Sequence, residues 1–477
     1  MSARSPYTTT WRRSAGSAAE FFVCGRDTGR AGCDAGVARQ DVAMGAPSVA
    51  TKRGRGGLGV TSRPSASNDG AMTDVLVAET LTAEARVDAA VTALLAEFDP
   101  TTMDNTAFRG ARYDAGLAWV HFPVGFGGLG LRPDLNRTVE RRLREAGAAP
   151  QDPTTFFIAL AGPTIVTHGT DEQKVRFLRP MFTGEQRWCQ LFSEPGAGSD
   201  FAGLACKAVR DGDEWLVNGQ KVWNTMAHLA DWGMLVTRTN PDAPKHKGMT
   251  YFAVDMHSEG VEVRPLRQIT GEAEFNEVYL TDAHIPDANR VGAEGEGWRV
   301  ALTTLMNERA EIGGGGGGEA KKGGVARDAV ALWQSLAPDA RTAPRRDELM
   351  KLWCRGEVGR LTNRRAAEAA RVGNPGPEFS VAKLASAELN KEVYSFCVDL
   401  MGMDGQVGFD YTFRRAEELQ ITGSGRGLRY AFLRTRANSI EGGTSEIMRN
   451  ILGEQVLGLP GEPRVDKDIA WAKVARN

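Results

Sequence analysis

Ser193-Glu194-Pro195-Gly196-Ala197-Gly198-Ser199-Asp200 is followed downstream by Val217-Asn218-Gly219-Gln220-Lys221-Val222-Trp223-Asn224-Thr225. Pro195, Gly196 and Gly198 permit a sharp loop whose backbone amides, with the Ser199 hydroxyl, can approach a planar, electron-rich ring without side-chain bulk. The loop is not a dinucleotide turn, because the third glycine of that pattern would fall at Phe201. Alone, Pro-Gly-Ala-Gly reads as an ordinary turn and Trp223 as a core residue. The company these residues keep along the chain decides between the two readings.

Working outward, the period changes on either side of this stretch. From Thr82 it is helical, with Val87, Val91, Leu94, Leu95 and Phe98 sharing one face and Asp99-Pro100 closing the segment. Further helices are expected around Arg141 to Ala146 and from Asp171 to Leu178, where Thr170 is a candidate N-cap. Between about 187 and 290 the chain reads as strands: Trp215-Leu216-Val217, Met234-Leu235-Val236, Tyr251-Phe252-Ala253-Val254, Val261-Glu262-Val263 and Val278-Tyr279-Leu280, separated by turn signals such as Asp211-Gly212 and Asn218-Gly219. After Trp298 the helical period returns, through Val381, Leu384, Ala385, Val393 and Phe396, and again at Ile447, Ile451 and Leu452.

Residues 1–74 are rich in Arg, Ser, Gly and Ala without an apolar period, and are expected to be a disordered extension. Glu20, Asp27, Asp34 and Asp41 interrupt the acid-poor pattern of a transit peptide. The 58 basic and 60 acidic residues nearly cancel, which removes any overall electrostatic case for nucleic acid. The six cysteines lack Cys-x-x-Cys spacing and the six histidines lack His-Glu-x-x-His, so no metal site or disulfide framework is expected. No run approaches ~20 apolar residues, so no transmembrane segment is expected, and the cytoplasm is the simplest compartment, or the mitochondrial matrix if the extension is a transit peptide.

Two G-x-G-x-x-G strings, Gly54 to Gly59 and Gly125 to Gly130, satisfy a nucleotide-binding spacing without a βαβ context, and read as decoys. The run Gly313 to Gly318 reads as a linker into the next helices, with a mobile gate as its functional alternative.

The stretch quoted at the start resembles the flavin-binding signature of the acyl-CoA dehydrogenase family. Leu305-Met306-Asn307-Glu308-Arg309 and Ser439-Ile440-Glu441-Gly442-Gly443-Thr444-Ser445-Glu446-Ile447 resemble the same family in the order it requires, and together they span about residue 75 to 460. The resemblance implies an α+β multidomain fold: an N-terminal α-helical domain over 75–186, a central β-barrel over 187–298 and a C-terminal four-helix bundle over 299–460, with 461–477 as a tail. It implies FAD as cofactor, with Gln190, Leu191, Ser193, Ser199, Trp223 and Thr225 at the isoalloxazine, and Trp223 covering one face.

The implied reaction takes a proton from the carbon alpha to an acyl-CoA thioester while hydride leaves the beta carbon for flavin N5. A carboxylate is required on the open face, and hydrogen bonds must receive the charge growing on the thioester oxygen. At the position before the Gly-Thr of the C-terminal motif, where many members carry Glu, this chain has Gly442, with Glu441 one residue early. One residue moves a side chain about 3 Å along an extended chain and turns it elsewhere. Glu308, at the family's second position, is therefore the expected base, with Glu441 as runner-up and a chain lacking a competent base as the remaining case. Arg309 aligns near the pantetheine arm and, with Ser199, is an expected substrate contact. Gly442, Thr444 and Glu446 are expected at the nucleotide half of FAD, with helix capping alone as the equal alternative.

Leu400-Met401-Gly402-Met403-Asp404-Gly405 stands where members carry a segment that holds the ADP half across a subunit boundary. The expected partners are an acyl-CoA, an electron-transfer flavoprotein, and further copies in a homodimer or homotetramer. Two rival readings accompany this one: a flavin oxidase or monooxygenase on the same fold, and a catalytically silent subunit of a heteromeric enzyme.

Overall fold

The computed structural model describes residues 81–150, 157–310, 322–369, 378–408, 412–417 and 422–475. The extension 1–74, the Gly54 to Gly59 string and the Gly313 to Gly318 run lie outside these residues.

The N-terminal region is helical. Helix α1 (Ala83–Glu97) begins where the Thr82 hydroxyl accepts from the Ala85 amide, and buries Val87, Val91 and Leu94. A side-chain cap of this kind stabilises a helix by about 1 kcal/mol. Helices α2 (Asn105–Asp114), α3 (Asn136–Glu145), α4 (Ile158–His168) and α5 (Asp171–Thr183) come next. Thr170 and Gln173 form a reciprocal capping box at the start of α5. The Gly125 to Gly130 segment is a loop between α2 and α3, with no βαβ unit around it.

The middle region is a sheet of strands β1 (Trp188–Leu191), β2 (Lys207–Asp211), β3 (Glu214–Lys221), β4 (Trp232–Arg238), β5 (Met249–Asp255), β6 (Val261–Pro265), β8 (Asn276–Pro286) and β9 (Arg290–Val291), with the short β7 (Glu272–Ala273) standing apart from it. Its order is β6-β8-β3-β2-β4-β5-β9, with β1 pairing in parallel beside β4. Strand β4 is buried along its whole length. Met234 and Val236 face a core shared with the N-terminal helices, while Leu235 joins the inner face with Trp215, Val217, Phe252, Leu280 and Ile285. A strand covered on both faces carries apolar residues continuously, as Met234-Leu235-Val236 does.

The inner cluster joins residues from distant strands, so the sheet curls over itself. It does not close into the expected barrel: among the described residues no pairing joins β6 to β9. Asn218-Gly219 also departs from expectation, since it lies inside β3 and not at a turn. The register shifts there because β8 carries an extra residue, Asp282, at φ +48°, whose amide donates to the Asn218 side chain. Gly219 is required by a close approach, because a Cβ would come within 2.7 Å of the Cys206 Cα.

The C-terminal region is helical: α6 (Gly297–Ala310), α7 (Ala326–Ser335), α8 (Ala343–Ala369), α9 (Glu378–Met401), α10 (Leu428–Arg434) and α11 (Ser445–Ile451). Helices α7 to α10 share a core around Leu349, Leu352, Val393, Tyr394 and Phe396. Strand β7 pairs in parallel with β10 (Arg414–Arg415), which stitches the sheet region to the helical one. The final segment returns to the sheet region: the Trp471 amide donates to Ala243 O, its indole donates to Gly203 O, and Arg238 lies 4.8 Å over its ring. Among the described residues no helix is long and apolar enough to cross a membrane.

Candidate functional site

The loop that begins at Ser193 is set by a buried ion pair. Lys221, fully buried on the inward parity of β3, donates to Glu194 Oε1 at 2.8 Å, Phe192 O at 3.1 Å and Val236 O at 2.7 Å. Its three protons are thereby used. The Glu194 carboxylate also accepts from the amides of Ala205 (2.7 Å) and Cys206 (2.9 Å). A buried pair is tolerated when the remaining hydrogen-bonding capacity is filled in this way. Pro195, Gly196, Gly198 and Ser199 are left exposed at the loop tip. Sequence reasoning quoted both residues inside motifs but assigned neither this role. The available signal was a lysine at an inward position of an otherwise apolar strand face.

After β3 the chain turns sharply. Trp223 stands at φ +61° and Met226 at φ +55°, conformations that cost a bulky side chain on the order of 1–3 kcal/mol each. The turn is imposed by its neighbours. The Val222 amide donates to Ser193 O, Asn224 and Asn276 exchange backbone bonds at 2.9 and 3.0 Å, and the Met226 amide donates to Glu274 O at 2.8 Å. The Asn224 side chain donates to Gln190 O at 2.8 Å. Gln190, Ser193 and the 223–225 turn are thus brought together. The Trp223 ring is 57% exposed and meets Phe275 edge-on at 5.8 Å. Thr225 is half-buried. Leu191 points into the inner sheet core, so only its backbone can face a ligand.

Glu308 lies in the last turn of α6, which packs against α4 and the sheet. Its Oε2 accepts from the Gln190 side-chain amide at 3.2 Å, joining the expected base to the expected flavin motif. The side chain of Arg309 lies outside the described residues.

The other carboxylate is held differently. Arg434 donates both terminal nitrogens to Glu441, each at 3.0 Å, and Asn438 adds a third bond to Glu441 Oε1 at 2.6 Å. On its other side the Arg434 Nε lies 2.7 Å from Glu274 Oε1, both residues being buried. Burial, with Glu441 adding to it and Arg434 opposing it, pushes the Glu274 carboxyl up to about 7. Fully buried Lys383 donates to Asn438 O at 3.1 Å and to Gly443 O, fixing the turn. Gly442 and Gly443 occupy the left-handed region, at φ +63° and +93°. Thr444 caps α11 through the Ile447 amide, and Glu446 is exposed and paired with Arg449 at 3.1 Å. Arg434, Glu274 and Lys383 escaped sequence reasoning, because their partnerships span up to 160 residues of chain.

These residues suit the flavin that the resemblance implies. An exposed indole is fixed on a strained turn, the exposed glycine-flanked loop is tied to that turn through the Val222–Ser193 backbone bond, and Asn224 Oδ1 is buried with no hydrogen-bond partner among the described residues.

Comparison with known proteins gives the same assignment. The acyl-CoA dehydrogenase N-terminal, middle and C-terminal domain models match residues 78–185, 189–283 and 295–457. Acyl-CoA dehydrogenase FadE34 of Mycobacterium tuberculosis is 41% identical over 353 residues, covering 73% of this chain and 45% of that protein, so the chain spans under half the length of that relative. Acyl-CoA dehydrogenase IpdE1 of the same organism is 36% identical over 355 residues, covering 73% of this chain and 86% of that protein. Among solved structures, the ChsE4-ChsE5 complex from M. tuberculosis aligns at 26% identity with a TM-score of 0.57, over 80% of this chain and 99% of that one. A glutaryl-CoA dehydrogenase from Mycobacterium smegmatis in complex with FADH2 shares the fold at 20% identity and a TM-score of 0.56, over 82% of this chain and 98% of that one. With three domain models in the order of its three folded regions, the chain belongs to the acyl-CoA dehydrogenase family, whose members are FAD-dependent oxidoreductases.

Proposed function

We propose that this chain is an acyl-CoA dehydrogenase that converts an acyl-CoA thioester to the 2,3-enoyl-CoA, with Glu308 as the base that takes the alpha proton. The observation that carries the reading is the 3.2 Å bond between Glu308 and Gln190, which puts a carboxylate beside the flavin motif. FAD, when bound, supplies the hydride acceptor. Gln190 orients the carboxylate, and Trp223 walls the site and excludes water. Gln190, the Leu191 backbone, Ser193, Ser199 and Thr225 would line the ring system with Trp223. Gly442, Thr444 and Glu446 would lie toward the nucleotide half. Ser199 and Arg309 are the proposed substrate contacts. Glu441 is a poor base because both of its oxygens are engaged by Arg434. An electron-transfer flavoprotein and further copies of the chain are the proposed partners.

The test is anaerobic bleaching of the flavin by a panel of acyl-CoAs. Glu308→Gln is expected to keep FAD and lose bleaching by about 10²–10⁴-fold, the usual contribution of a general base, whereas Glu441→Gln should change it less than about tenfold. The reverse ranking overturns the assignment. A second reading, a silent subunit of a heteromeric enzyme, is favoured by Gly442 and the engaged Glu441. It predicts no bleaching by any acyl-CoA until a partner chain is added.

A further inference from the structure

The Trp223 turn, the Glu274-Phe275-Asn276 segment and the C-terminal Glu441 turn form one continuous cluster. Arg434 is its centre: its guanidinium pairs with Glu274 at 2.7 Å, with Glu441 through two bonds at 3.0 Å, and lies 5.5 Å over the Phe275 ring. Phe275 in turn meets Trp223 edge-on at 5.8 Å. The backbones of Glu274 and Asn276 hold the amides of Met226, itself in the left-handed region, and of Asn224, which follows the strained Trp223. A planar guanidinium can pair along its edges with two carboxylates while its face lies over an aromatic ring.

We propose that Arg434 is a positioning residue for the flavin wall: through Glu274 and Phe275 it fixes the Trp223–Met226 turn, and Glu441 serves as its second anion and not as a proton acceptor. Strain at a functional turn persists only where the surroundings over-determine it, and this cluster supplies the constraint from the C-terminal side. The inference rests on the flavin-binding reading above and assigns a use to the displaced carboxylate.

The test uses FAD-loaded Arg434→Lys and Glu441→Gln, each in the wild-type and the Trp223→Phe background. Two readouts are taken: hydrogen exchange of the Asn224 and Met226 amides, and visible circular dichroism of the bound flavin. Arg434→Lys should speed exchange at both amides at least about tenfold while amides in α1 keep their rates. It should alter the flavin dichroism, and add little to the change already made by Trp223→Phe. Glu441→Gln should move both readouts in the same direction by less, and keeps the test decisive if Arg434→Lys does not fold.

Unchanged exchange at Asn224 and Met226 in both variants overturns the proposal, as does a dichroism change fully additive with Trp223→Phe. Abolished bleaching in Glu441→Gln with intact exchange also overturns it. If the wild-type flavin is bleached by no acyl-CoA, the dehydrogenase reading fails separately, because exchange and dichroism still decide the role of Arg434.

Discussion

Two ionic clusters brace the candidate site, and they differ in charge count. Lys221 meets one carboxylate, Glu194, and spends its remaining protons on two carbonyls. Arg434 meets two carboxylates, Glu274 and Glu441, so that cluster carries one negative charge in excess. The balanced pair has no excess charge to shed. In the unbalanced one, burial raises the Glu274 carboxyl to about 7, with Glu441 adding to the rise and Arg434 opposing it. The first sets the loop that begins at Ser193, and the second bears on the Trp223–Met226 turn.

The largest expected effect breaks the balanced side. Lys221→Met leaves the Glu194 carboxylate buried without its counter-charge and should cost about 3–5 kcal/mol, seen as a lower urea midpoint. A Lys221→Met, Glu194→Gln double variant should recover part of that loss. No recovery would mean that the pair acts by packing and not by charge.

The next effect sharpens the contrast. A carboxyl whose folded pKa lies above its unfolded value of 4.5 binds more protons folded than unfolded between 4.5 and about 7. Stability therefore falls as pH rises through that window, and the penalty, roughly 3 kcal/mol, is complete above about 7. The groups facing Glu274 are Arg434 and Glu441, with Tyr430 and Arg426 close by. Glu274→Gln should flatten this dependence and be more stable than wild type at pH 8. An unaltered pH profile of unfolding would remove Glu274 as its source.

The smallest effect separates the Glu441 turn from the helix it starts. Thr444→Ala removes the α11 cap and should cost about 1 kcal/mol in thermal unfolding, with the flavin dichroism unmoved. A dichroism change would extend the contact proposed for Thr444 from the nucleotide half of FAD to its ring system.

Local features were readable from sequence, and long-range ones were not. Thr82 and Thr170 announce their helices because caps act within three residues. The strands at 215, 234, 251, 261 and 278 are declared by β-branched and aromatic runs. Asn218-Gly219 misleads because the bulge that absorbs it sits on β8, in Asp282, outside any local window. Barrel closure depends on accumulated twist, which no run of residues states. At the site, Gln190, Trp223 and Glu308 were reachable through the family resemblance, and the structure brings Gln190 and Glu308 to 3.2 Å. Lys221, Glu274 and Arg434 were not, since a buried charge is explained only by a partner that folding delivers from elsewhere in the chain.

The returning C-terminal segment carries a consequence for how the molecule is made. Trp471 covers the Arg238 guanidinium and caps Gly203 O, and Asp466 shares Lys245 with Asp200 of the exposed loop. The surface behind that loop is therefore finished by residues that leave the ribosome more than two hundred positions later. A nascent chain can assemble the strands up to Val291 early, but the surroundings of that loop reach final form only after the 466–471 segment has been made.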